Sequence, residues 1–125
     1  SNQLTSLDVS RNTALTDLSC YNNQLTSLDV SRNTALETLW CENNQLTSLD
    51  VSKNTALTWL DCDNNQLSSL DISQNIQLEL SSCHVGSQSD TSHTYIELTL
   101  YVNSTQIGQT LASSGNYQVN VVLKQ

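Results

Sequence analysis

"NNQLTSLDVSRNTALETLWCE" occupies residues 22–42, and "NNQLTSLDVSKNTALTWLDCD" at 43–63 repeats it almost letter for letter. A period of 21 residues is the sequence mark of a solenoid, whose units cannot bury an apolar face alone and stack to do so. The apolar columns run outward in both directions. Leu4, Leu25, Leu46 and Leu67 form one, Leu7, Leu28, Leu49 and Leu70 another, and Val9, Val30, Val51 and Ile72 a third. Leu15, Leu36, Leu57 and Leu78 follow, then Cys20, Cys41, Cys62 and Cys83. Each unit is therefore two short motifs of the form L-x-x-L-x-(V/C)-x-x-N. Alternation across "LDV" and "LSC" predicts a short strand in each half with one face buried.

Two asparagine columns complete the unit: Asn2, Asn23, Asn44 and Asn65, and Asn12, Asn33, Asn54 and Asn75. At a tight corner the short amide can satisfy backbone groups of its own coil and of the next, which otherwise stay buried and unpaired. The alternative is a row of ligand-binding amides.

The pattern "LxxLxCxxNxLxxLDVSxN" resembles the short bacterial leucine-rich repeats with nested motifs and a cysteine column, as in internalin J-like surface proteins. The likeness covers residues 1 to about 86. It implies a leucine-rich repeat solenoid, right-handed and mainly parallel β, at a bacterial surface or secreted, that binds a protein or glycan. It brings no catalytic residues with it.

The four cysteines raise the question of a disulfide or a zinc site. In-register strands lie about 4.7–4.9 Å apart, whereas disulfide Cβ atoms lie about 3.8 Å apart. A straight ladder also cannot converge tetrahedrally on a metal. The expectation is a column of buried, unpaired thiols acting as small hydrophobes.

The two halves of the unit vary differently. "LTSLDVSxN" hardly changes: Ser6, Ser27, Ser48 and Ser69 and the outward Asp8, Asp29, Asp50 and Asp71 recur, with Arg11, Arg32 and Lys53 beside them. A calcium-binding Asp column is the sharper alternative, but no carbonyl-rich loop completes a shell. The cysteine half drifts outward: Asp17-Ser19-Tyr21, Thr38-Trp40-Glu42, Trp59-Asp61-Asp63, Leu80-Ser82-His84. Both tryptophans fall here. Trp and Tyr dominate recognition hot spots, so Tyr21, Trp40, Glu42, Trp59, Asp61 and Asp63 are the candidate ligand-binding residues. The plainer alternative is drift on an unconstrained face.

The fourth coil breaks the pattern. Ser81 stands where Leu is expected and Gly86 where Asn is. A polar connector leads to "TYIELTLYV", with Ile96, Leu98, Leu100 and Val102 on one face, and then to "YQVNVVL" at 117–123. Residues 1–86 read as an array of about four coils, and 87–125 as a C-terminal antiparallel β cap or the start of a following domain. The chain opens mid-repeat without an N-terminal cap, which suggests a fragment or mature product and an edge prone to edge-to-edge self-association.

With 12 acids against 4 basic residues, the formal net charge is -8, which repels nucleic acid. No apolar run approaches the roughly 20 residues that span a bilayer, so no membrane insertion is expected. Cys83, His84, Asp90 and His93 show no nucleophile–base–orienter spacing. No enzyme activity, no cofactor and no metal is expected. A spacer or stalk without a specific ligand is the alternative to a binding module.

Overall fold

The computed structural model describes residues 2–85, 97–107, 109 and 118–124. The connector, Ile96, Asp90 and His93 lie outside the described residues, as do Gly108 and Gly115. Coils stack so that the cysteine-half strands form one parallel sheet: β1 (Asp17–Ser19), β2 (Thr38–Trp40), β3 (Trp59–Asp61) and β5 (Cys83–His84), in that order. Leu18, Leu39 and Leu60 are cross-strand neighbours, so the register equals the repeat. Between the two runs of motif lies one continuous core of the leucine, valine and cysteine columns, sealed in the inner coils and looser in the first.

Asparagines close the corners. Asn44 Nδ2 donates to the Cys20 and Cys41 carbonyls at 3.0 Å each, and its Oδ1 accepts from Leu25 N–H. Asn65 repeats this one coil on, to Cys41 and Cys62 and from Leu46. In the other column Asn54 Nδ2 donates to the carbonyls of Val30 and Asn33, and Asn75 to those of Val51 and Asn54. Each amide thus ties two coils, as the sequence predicts. A third column escaped notice. Asn22, Asn43 and Asn64 have φ of 54°, 57° and 53°, the left-handed region that Asn enters more readily than other residues with a Cβ. The doubled Asn was the available signal: the first turns the backbone and the second satisfies it.

Three expectations need correction. The "LDV" segments of the first three coils are not strands. Their aspartates accept the backbone N–H two residues on, Asp8 from Ser10, Asp29 from Ser31 and Asp50 from Ser52, each at 2.9 Å. Turns such as Asn33 N–H to Val30 carbonyl follow at once. Asp71 accepts the Ser73 N–H in the same way at 2.9 Å, so that bond alone does not exclude a strand; what the first three segments lack is a paired strand. Only Ser69–Asp71 (β4) is a strand, paired with β6 (Glu97–Val102).

The cysteines do not form a four-step column. Cys83 pairs with Leu60, and His84 with Asp61. A 3-10 turn at Leu80–Ser82 takes up two extra residues, so Cys83 fills the leucine column and Val85 falls where the next cysteine belongs. Both are fully buried. Ser81 is therefore no defect in the core, because the chain has slipped past it. All four thiols are buried and free.

The C-terminal strands are parallel, not antiparallel. β6 adds to β4 with Leu100 opposite Leu70, and β7 (Gln118–Leu123) adds to β6 with Val121 opposite Leu100. The β6–β7 offset is again 21 residues. Gln106 extends the amide column, donating to the Asn75 and Leu78 carbonyls at 3.0 and 2.9 Å. These strands continue the "LDV" side of the solenoid, and Gln reaches the Asn75 carbonyl as Asn reaches those of Asn33 and Asn54 in the coils before.

Candidate functional site

Because the coils are in register, the outward face of the β1–β2–β3–β5 sheet is a grid. Ser19, Trp40, Asp61 and His84 stand in one row across the strands. Asp17, Thr38 and Trp59 form the row to one side. Tyr21, Glu42 and Asp63, one residue beyond each cysteine, lie to the other. Neighbouring strands are about 4.8 Å apart, so Trp40 and Trp59 lie one strand and one row from each other.

The candidates differ in accessibility. Tyr21 is 47% exposed and Trp59 37%, while Asp63 retains 8%. Trp40, Glu42 and Asp61 are half-buried. Asp63 therefore contributes charge from below the surface, and the others are open to contact. Asp61 Oδ1 accepts the Asp63 N–H at 3.2 Å, which fixes that carboxylate on the strand end. A shallow depression lined by Asn2, Ser19, Tyr21, Asn22 and Asn23 lies beside Tyr21, at the first-coil end of the face.

His84 was placed by its spacing beside Asp63, but the two-residue slip moves it opposite Asp61. Its ring stands against Trp59 with centroids 5.2 Å apart and planes at 35°. The slip also withdraws Leu80 into the core. Sequence spacing missed His84 because the 21-residue count fails between β3 and β5. Glu42 is the strained member. Its Oε2 is buried and has no hydrogen-bond partner among the described residues. Burial, with Asp61 and Asp63 nearby, raises its pKa, and His84 pulls the other way.

The remaining titratable groups serve the frame. Burial pushes the Cys20 thiol up to about 11 and Cys83 up to about 12, with Cys41 and Cys62 also well above the ordinary value. Such thiols are neutral and poor nucleophiles. The hydrogen bonds from Ser10, Ser31 and Ser52 lower the pKa of Asp8, Asp29 and Asp50, so that column is accounted for by turn-making. Among the described residues no group of three or more His, Cys, Asp or Glu is arranged to hold a metal ion. No helix among them is long and apolar enough to cross a membrane.

A stack of short parallel strands on a leucine core, locked at each corner by asparagine, defines a leucine-rich repeat protein. A family model described as Leucine Rich repeats (2 copies) matches residues 13–54. Among solved structures, the functional domain of InlJ from Listeria monocytogenes, described as including a cysteine ladder, is similar at 34% identity and a TM-score of 0.67. That match covers all of this chain and 30% of the InlJ chain. No curated protein matches. The chain thus carries leucine-rich repeats over residues 13–54 and is similar to InlJ along its whole length.

Proposed function

We propose that this chain is a non-catalytic binding module of a bacterial surface or secreted protein, recognising a protein or glycan through the outward face of the β1–β2–β3–β5 sheet. The supporting observation is the contrast between the two halves of the coil. The "LDVS" half repeats because its Asp and Ser make turns in every coil. The cysteine half makes that bond outward only at Asp61 among these positions, yet it collects both tryptophans, Tyr21 and four acids. Exposed indole on an open sheet face is unfavourable unless something covers it. The surface placement rests on the resemblance of the repeats to those of bacterial surface proteins.

The near identity of the coils favours a second reading, a spacer holding other domains apart. A screen of glycans and candidate proteins separates the two, with Trp40→Ala combined with Trp59→Ala as the control. A binding module yields a ligand whose affinity the double variant loses by at least about tenfold, as hot-spot aromatics do. A ligand that binds the double variant equally well removes this face as the site, and the spacer reading replaces it.

A further inference from the structure

We infer that the occupant of this face is a basic segment of a protein, whose arginine or lysine cations seat against Trp40 and Trp59 and beside the carboxylates of Glu42 and Asp61. The inference rests on the recognition-face reading and adds the chemistry of the partner. Charge placement supports it first. Glu42, Asp61 and Asp63 stand on two adjacent coils, and Asp17 adds a fourth carboxylate on β1. The chain's own lysines and arginines are all elsewhere. Arg11, Arg32 and Lys53 follow the "LDVS" half, and Lys124 is engaged with Asp71 beside the Tyr101 ring. The face is therefore acidic without internal compensation by Lys or Arg.

The geometry narrows this further. Glu42 is half-buried near the carboxylates of Asp61 and Asp63. A guanidinium or ammonium set beside them answers that shared charge, and a charge-assisted bond is the stronger kind. The Trp59 ring already accepts a flat nitrogen heterocycle, His84, against it. Trp59 keeps 37% of its surface exposed beside His84, and a guanidinium stacks on exposed indole and adds cation–π attraction. A neutral glycan would use the indoles but leave the carboxylates' charge unanswered.

The test uses the intact chain and three probes: a short alternating arginine–serine peptide, its glutamine–serine counterpart, and neutral oligosaccharides. Binding is read by indole fluorescence and calorimetry. The arginine peptide should bind saturably, and the glutamine peptide should not. Glu42→Gln with Asp61→Asn should weaken the arginine peptide by about tenfold, the loss of one charge-assisted bond. Asp29→Asn with Asp50→Asn removes the same charge from the other half and should cost less than about twofold after screening. Both pairs keep a hydrogen-bond acceptor, and thermal unfolding checks that each still folds.

Equal losses in the two pairs would mean that the peptide senses only the total charge, which overturns the inference. No binding of the arginine peptide overturns it as well. If an oligosaccharide binds instead, insensitive to salt and lost in Trp40→Ala with Trp59→Ala, the partner chemistry is wrong and the recognition face stands. A ligand bound equally by that double tryptophan variant refutes the face and the basic partner together.

Discussion

Asparagine has three separate duties in each coil, and they carry different costs. Asn43 supplies a left-handed backbone at φ 57°. Glycine meets that need without a Cβ, so Asn43→Gly should be nearly neutral, whereas Asn43→Ala should cost about 1–2 kcal/mol. Asn54 serves two buried carbonyls from one amide nitrogen, while its own Oδ1 has no partner. Asn54→Ala strands both carbonyls and relieves one orphan, so the expected loss is about 2 kcal/mol. Urea midpoints of the three variants measure the difference. The thiols make a second residue-scale prediction. Cys20 shifts from an ordinary 9.0 to about 11 on folding. The folded state keeps its proton where the unfolded state loses it, so stability is full below pH about 9 and falls as pH rises toward 11. Urea midpoints measured from pH 8 to 11 should drop, and a Cys20→Ala variant should drop less steeply. Thiol titration should find four slow thiols in the native state and four fast ones in denaturant. The asparagine columns, and the cysteine column as far as Cys62, were legible in the sequence because each is one residue type at one spacing; the spacing misplaced Cys83. The left-handed Asn column was not, since a doubled Asn looks the same whether one or both amides are at work.

A single coil depends on its neighbours on both sides, and one column measures this. Leu46 is fully buried between coils and Leu4 is 44% exposed at the first. Leu46→Ala should cost about 2–5 kcal/mol and Leu4→Ala under about 1 kcal/mol, because the exposed site leaves little cavity. Equal shifts in the unfolding midpoint would contradict stacking as the source of stability. At this scale the sequence predicted the cysteine-half strands and overstated the "LDV" ones. Alternation alone cannot tell a strand from an extended segment that finds no ladder partner, and only β4 finds one, in β6. The slip at Leu80–Ser82 was visible only as a broken pattern at Ser81 and Gly86. Its direction was hidden, because Cys83 still fell on the expected count while occupying the leucine column. The parallel pairing of the C-terminal strands was equally hidden. Two short alternating segments read most simply as a hairpin, and the 21-residue offset between them emerges only when the strands are seen side by side.

Across the whole molecule, one half of every coil is spent on holding the array together and the other is released to vary. The candidate face was legible as far as its residues, since the repeats serve as an internal comparison. Its depth was not: nothing in the letters puts Asp63 beneath the surface or brings His84 to Trp59, as the packed structure does. The net charge of -8 should speed encounter with any cationic partner, and raising salt should slow it as the screening length shortens. The face proposed for recognition is the tryptophan-bearing sheet. The most direct measurement is a nuclear magnetic resonance titration of the isotope-labelled chain with the ligand that the screen selects. The account predicts that the indole N–H signals of Trp40 and Trp59, and the amides of β2 and β3, move first and furthest. Shifts concentrated instead on the Asp29 and Asp50 side of the coils, with both indoles unmoved, would contradict it.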